Sequence, residues 1–176
     1  MLWILGSSSL NAQNFDLYRL LDDLEDMFHL KAQDKRLQLI FESAAEVPRY
    51  VRTDSVKLRQ ILINLLNNAI KFTDSGGVSV RVRVKEGLND ATRLCFEVED
   101  TGAGIAPQEL DQLCVAFVET ETGKKRQEGT GLGLPISRQF VRLMGGEMSV
   151  TSQVGHGSSF NFDLQVTIVE ASEIEE

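Results

Sequence analysis

Cysteine, histidine and basic charge are all in short supply in this sequence. The two cysteines, Cys95 and Cys114, stand far apart with no CxxC or Cys/His spacing. That argues against a structural zinc site and for a reducing, cytoplasmic compartment. Lysine and arginine number 18 against 26 aspartates and glutamates, a formal net charge of −8. A chain that grips a phosphate backbone normally presents a basic face, so nucleic acid is not an expected partner. Long apolar runs are missing as well. Met1 to Leu5 is too short to cross a bilayer, is followed by Gly6 and three serines, and lacks the charged lead-in of a signal peptide. No direct membrane contact is expected. Internal repeats and low-complexity tracts are also absent.

What is present suits one ordinary globular domain with a short extra segment. Residues 1–13 read as a remnant of a preceding domain or an artificial extension, 14–170 as the domain itself, and 171–176 as an acidic tail. Asn14 or Asp16 caps a helix to about Asp34, with Leu17, Leu20, Leu21, Leu24, Met27, Phe28 and Leu30 at helical spacing. Leu37 to Phe41 reads as a strand, and Pro48 ends that unit. Thr53 and Asp54 offer cap chemistry for a long helix from about Ser55 to Phe72. After Gly76 and Gly77, Val78, Val80, Val82 and Val84 alternate with polar residues, and Leu94, Phe96 and Val98 repeat the pattern beyond a turn. Met148 and Val150, then Phe160 to Ile168, make a second alternating pair around Gly155-His156-Gly157. Strict alternation means a sheet with one covered and one wet face. Helices near 55–72, 107–113 and 131–144 are the available cover, so the expected fold is α+β, a two-layer α/β sandwich with a mostly antiparallel sheet.

Three clusters carry chemistry. On the helix from 55 to 72, Leu58, Leu62, Leu65 and Ala69 form an apolar face, and Gln60, Asn64, Asn68 and Lys71 form a polar stripe. Any amphipathic helix has a solvated face, but Asn64, Asn67 and Asn68 crowd this helix interior, where each Asn costs roughly 0.5 kcal/mol relative to Ala. An Asn carbonyl is a hard oxygen ligand suited to Mg²⁺, and a lysine one turn on suits a phosphate. The second cluster, Asp100-Thr101-Gly102-Ala103-Gly104-Ile105, follows a strand. Its glycines admit close approach of a flat ligand, and Asp100 is placed to accept from an exocyclic amine; an ordinary strand-to-helix loop has the same composition. The third, Gly129-Thr130-Gly131-Leu132-Gly133-Leu134, opens a helix, where free amides and the helix dipole favour an anion. It has neither the Lys-Ser/Thr of a P-loop nor a βαβ unit around GxGxxG, which excludes two common nucleotide motifs. Between the second and third clusters, the polar stretch from Val118 to Glu128 with Lys124, Lys125 and Arg126 reads as a mobile lid whose cations reach phosphates.

In this order the clusters resemble the catalytic, ATP-binding domain of sensor histidine kinases, part of the wider gyrase, Hsp90 and MutL family, over about residues 14–168. Asp54 to Thr73 is similar to its N box, Asp100 to Ile105 to its G1 box, Phe117 to its F-box phenylalanine and Gly129 to Leu134 to its G2 box. Met144-Gly145-Gly146-Glu147 and Gly155-His156-Gly157-Ser158 resemble its closing stretch. The resemblance implies a Bergerat-type fold that binds ATP and Mg²⁺. It implies that Asn68 ligates the metal, Asn64 sits beside the phosphates and Lys71 contacts them, with Phe72 near the adenine. Asp100 would accept the adenine amine, Gly102, Gly104 and Ile105 would shape the pocket, and Ser158 would join a water bridge near Asp100. Phe117, Lys125, Arg126, Gly129 and Thr130 would belong to the lid and its supports, and the amides of Gly131, Leu132, Gly133 and Leu134 would hold phosphates.

Asn64 also separates subclasses. ATP-hydrolysing relatives place a general-base Glu there, and an amide cannot take a proton at neutral pH. The implied work is transfer of the γ-phosphoryl group to a histidine on a separate dimerisation domain, with a response-regulator receiver domain downstream. The chain itself offers no catalytic acceptor. His29 lacks the family's His-Glu-x-Arg-x-Pro context, His156 lies in a Gly-His-Gly turn, and the dimerising hairpin has no room before residue 14, so a monomer is expected. Cys114-Val115-Ala116-Phe117 departs from the family's Phe-x-Pro-Phe, Glu119 replaces a usual Gln and Glu128 a common Gly. Those departures keep open an alternative, a nucleotide-binding regulatory module without transfer activity.

Overall fold

Both long helices begin on an aspartate. In a computed structural model that describes residues 9–86, 92–102 and 133–174, helix α1 spans Leu17–Asp34 and helix α2 spans Ser55–Phe72. The Asp16 carboxylate accepts from the amide of Arg19 at 3.1 Å, and Asp54 accepts from that of Lys57 at 3.0 Å. Each therefore satisfies one of the amides that a helix start leaves without an internal partner. A third helix, α3, runs Gly133–Leu143. The strands are β1 Gln13–Asp16, β2 Gln38–Ser43, β3 Tyr50–Thr53, β4 Gly77–Glu86, β5 Thr92–Asp100, β6 Met148–Gln153 and β7 Gly157–Ile168. The helix expected near 107–113 lies outside the described residues.

The strands form one seven-stranded sheet in the order β1-β3-β7-β5-β4-β2, with β6 also paired to β7. Only β2 and β4 run parallel among the described pairs, and α2 lies in the crossover between them. The expected two-layer sandwich with a mostly antiparallel sheet is thus what forms. Its core follows the alternation read from sequence: Val78, Val80 and Val82 of β4, Leu94, Phe96 and Val98 of β5, and Phe160, Phe162, Leu164 and Val166 of β7 are buried. Facing them are Leu58, Ile61, Leu62 and Leu65 of α2, also buried. Phe96 and Phe162, directly opposite across β5 and β7, stack with ring centroids 4.9 Å apart. The other sheet face is polar. There Arg81 reaches Glu97 at 2.9 Å and Glu99 at 2.8 Å, and Ser159 donates to Glu97 at 2.9 Å.

Two strands escape the sequence pattern. β1 and β3 are four residues each, and neither shows an apolar alternation long enough to read. They are strands because β3 pairs with the end of β7 at Val51 and Ile168, and β1 then pairs with β3. As a result the helix starts at Leu17, after Asp16, and not at Asn14. The strand expected over 37–41 runs Gln38–Ser43. In the tail, Ala171–Glu173 makes one 3-10 turn, and the Asn14 side chain donates to the Glu173 carbonyl at 3.0 Å.

Asp54 is the most heavily used cap. Its side chain is almost fully enclosed, and besides the Lys57 amide it accepts from Asn11 N–H at 3.0 Å and Lys57 Nζ at 3.1 Å. Burial alone would push its carboxyl up; the amides of Asn11 and Lys57 and the Lys57 ammonium more than offset this and hold it below the ordinary 3.8. A lowered folded value means stability that is present above 3.8 and lost as pH falls through the lower folded value. Asp54→Ala is expected to cost about 1 kcal/mol or somewhat more at pH 7 by urea denaturation, with the difference from the parent shrinking in acid.

Candidate functional site

The inward alternation of β5 does not stop at an apolar residue. Leu94, Phe96 and Val98 are followed on the same face by Asp100, a carboxylate only 6% exposed at the end of a central strand. It lies opposite Val78 of β4 on one side and Ser158 of β7 on the other. Gly102 N–H donates to its Oδ1 at 2.9 Å, and the Ser158 amide donates to it as well. The buried Thr73 hydroxyl serves both this carboxylate and, at 2.7 Å, the Ala69 carbonyl, giving its single proton to one of them at a time. Burial raises the Asp100 carboxyl above its ordinary value; the two amides act against that, the neighbouring Glu99 charge adds to the rise, and Thr73 opposes it.

Three stretches of chain therefore converge: the end of α2 at Phe72 and Thr73, the end of β5 at Asp100 to Gly102, and the start of β7 at Gly157 and Ser158. Glycine is needed at two of these places. A Cβ on Gly102 would lie 2.6 Å from the Phe72 carbonyl oxygen and 3.0 Å from Asp100 Oδ1. Gly157, at φ +109, would put a Cβ 2.0 Å from the Asp100 carbonyl oxygen. Thr101 locks the turn from outside: its hydroxyl accepts from Gly77 N–H at 2.9 Å, and its own N–H donates to the Gly77 carbonyl at 3.1 Å.

The asparagines of α2 divide by face. Asn64 points at α3: its Nδ2 donates to Ser137 Oγ at 3.0 Å and lies 3.4 Å from the Gly133 carbonyl, while its Oδ1 accepts from Gln60 at 2.9 Å. Gly133, whose missing Cβ would meet Asn64 Cγ at 2.7 Å, is what lets the two helices come this close. Asn68, one turn on, is half-buried. Asn67 is accounted for differently. Its Oδ1 accepts from Lys31 Nζ of α1 at 3.0 Å, so one of the three unusual asparagines ties helices together. Lys71 and Phe72 are exposed, with the ammonium 5.6 Å from the ring centroid. Leu134 is buried in the first turn of α3, which opens at Gly133 within the Gly-rich run.

Of the residues singled out in the sequence, the structure brings together Phe72, Asp100, Gly102 and Ser158 at one corner, and Asn64 with Gly133 at the α2–α3 contact. Gly104, Ile105, Phe117, Lys125, Arg126, Gly129, Thr130, Gly131 and Leu132 lie outside the described residues. Ser158 presents its backbone N–H to Asp100, and its hydroxyl shares a hydrogen bond with Ser152 Oγ at 2.9 Å. Thr73 is the residue to which sequence reasoning gave no role. Its only signal is a hydroxyl at the exit of the Asn-bearing helix, and its use depends on a strand end 27 residues further along.

Since the folded Asp100 carboxyl is raised, ionising it costs stability. That contribution is full below the unfolded value of 3.8 and lost as pH rises through the folded value. Asp100→Asn is thus expected to leave the urea midpoint at pH 7 unchanged or higher. A clear drop would show that the charge is stabilising and that this account of the corner is wrong.

Residues 53–168 match the family described as histidine kinase-, DNA gyrase B-, and HSP90-like ATPase. The chain is 43% identical over 169 residues to the aerobic respiration control sensor protein ArcB of Escherichia coli (strain K12), covering 95% of this chain and 21% of that protein. It is 36% identical over 167 residues to the sensory/regulatory protein RpfC of Xanthomonas campestris pv. campestris, covering 94% of this chain and 23% of that one. The chain thus spans about a fifth of the length of these relatives. Among solved structures, full-length ShkA in complex with AMPPNP superposes with a TM-score of 0.75 at 31% identity, over 93% of this chain and 33% of that one. The nucleotide-free catalytic domain of histidine kinase ThkA shares the fold at a TM-score of 0.65 and 23% identity, covering 88% of this chain and 95% of that one. The chain belongs to the histidine kinase-, DNA gyrase B- and HSP90-like ATPase family, as a catalytic domain of the sensor histidine kinase type.

Proposed function

We propose that this domain binds Mg·ATP and donates the γ-phosphoryl group to a histidine on a separate dimerisation domain, in a signalling route that continues to a receiver domain. The observation that carries the reading is the Asp100 corner. A nearly enclosed carboxylate with two fixed amide donors and one shared hydroxyl retains acceptor capacity, because an ionised carboxylate offers about four lone-pair sites. An exocyclic amine suits what is left, and the half-exposed Phe72, whose backbone carbonyl borders Gly102, has an aromatic ring of the kind that could cover a flat base. The similar ShkA structure, at 31% identity, was solved in complex with AMPPNP, which supports nucleotide binding by a domain of this kind.

Among the described residues no group of three or more His, Cys, Asp or Glu side chains is placed to hold a metal. A divalent ion here would rest on the Asn68 amide oxygen together with oxygens of the bound phosphates, which suits Mg²⁺. When bound, it would draw charge from the phosphates. Lys71, with the amides of Gly133 and Leu134, would hold them in place, and Lys125 and Arg126, outside the described residues, would be the lid's share. Asn64 brings an amide, bonded to Ser137, where water activation would need a base. The reading is therefore one of positioning a phosphoryl donor with water attack suppressed.

Calorimetric titration with AMPPNP, with and without Mg²⁺, tests the binding. The parent should bind in a Mg²⁺-enhanced manner, Asn68→Ala should lose the enhancement, and Asp100→Asn should weaken binding about tenfold or more, as expected for a lost charge-assisted hydrogen bond. Unchanged binding in both variants would undo the assignment. For transfer, the domain is mixed with radiolabelled ATP and a histidine-bearing dimerisation hairpin. Label on the hairpin, with none on the domain alone, is the expected result; binding without transfer would instead identify a nucleotide-binding regulatory module.

A further inference from the structure

The last turn of α1 reaches across to the end of α2. Lys35 Nζ donates to the Ile70 carbonyl at 2.7 Å and to that of Lys71 at 3.2 Å. One turn earlier, Lys31 holds Asn67. Both lysines line one open cleft with Asn68 and Lys71.

A helix end leaves its final carbonyls without internal partners and carries partial negative charge. The common remedy is a left-handed residue, usually glycine, that folds the following amides back. Helix α2 does not use it. Its C-cap, Thr73, is extended at φ −106 and ψ 120, and its amide reaches Ile70 O only at 3.4 Å. The extended exit is what carries Thr73 to Asp100; a left-handed turn would direct the chain elsewhere. The carbonyls must then be met from outside the helix, and a cation answers both their hydrogen-bonding need and their charge.

Lys35 is itself well placed to do so. It is the C-cap of α1, its amide bonded to Ala32 O, and the next residue, Arg36, turns left-handed at φ 59 so that Leu37 N–H returns to Ala32 O at 2.9 Å. Arg36 is the one non-glycine residue with positive φ among those described. We propose that Lys35 is a positioning residue for the nucleotide site, holding the end of the Asn-bearing helix so that Lys71, Phe72 and Thr73 keep their places relative to Asp100. This rests on the function proposed above.

The test uses Lys35→Ala and Lys35→Arg. In ligand-free protein, amide hydrogen exchange over residues 70–73 should speed up in Lys35→Ala while the β5 amides keep their protection. In titrations, Lys35→Ala should weaken adenosine and AMPPNP by a similar factor, about tenfold, because the helix end is displaced and no phosphate contact is lost. Lys35→Arg should restore most of both. Unchanged exchange at 70–73 overturns the inference. So does a loss confined to AMPPNP, since that would make Lys35 a phosphate ligand. If Lys35→Ala fails to fold, Lys35→Gln supplies the same two measurements. Absence of binding in the parent would overturn the proposed function and this inference with it, whereas binding in the parent and in Lys35→Ala with equal affinity overturns this inference alone.

Discussion

The structure is organised around a carboxylate where the sheet's own pattern calls for an apolar side chain. Asp100 occupies the inward position of a central strand, 6% exposed, and it persists there because an amide of its own turn, an amide of β7 and a buried hydroxyl at the end of α2 surround it. A charge in such a place is costly unless hydrogen-bonded. Its partners must therefore be held accurately, and much of the surrounding chain can be understood as holding them: Gly102 and Gly157 clear the space, Thr101 pins the turn to β4, and the extended exit of α2 delivers Thr73. A stability cost at one residue is maintained by packing elsewhere, as is common where a fold meets a ligand.

The helices supply the second constraint. The asparagines of α2 are poor helix formers, yet two of the three already have structural partners, Asn64 on α3 and Asn67 on α1. Their side chains fasten α2 to its neighbours on both flanks, which keeps Asn68 and Lys71 at a fixed height above the sheet. The same helix serves core packing on one face and the site on the other, with Leu58, Ile61, Leu62 and Leu65 all buried beneath it.

Much of this was legible in the sequence, for physical reasons that differ by element. The alternation in β4, β5 and β7 and the stripe on α2 are strong because one face is buried throughout, so every second or every third to fourth residue reports on it. Of the Asp-Gly and Gly-rich clusters, the need for glycine at 102 and 133 was legible because nothing larger fits against Phe72 O or Asn64, while Ala103 to Ile105 and Gly129 to Leu132 lie outside the described residues. β1 and β3 were not legible, being short pieces defined by their partners more than by their own pattern. Nor was the part played by Thr73 or Lys35, since each acts on groups that only the tertiary fold brings near. Asn67 shows the converse: a residue unusual enough in sequence to suggest a ligand is accounted for by a lysine on another helix.

The long final strand has a bearing on how the molecule comes into being. β7 lies against β5 over nine registered pairs, takes β6 on its other edge and receives β3 at its last residues. During synthesis, everything that precedes it emerges without the strand that joins β3 to β5. The Asp100 corner lacks its Ser158 amide until that strand arrives, so the carboxylate cannot be enclosed early. Pairings so distant in sequence are closed late and slowly. The domain is therefore expected to complete the Asp100 corner in the same event that completes its sheet, as the last step of folding rather than as a preformed local motif.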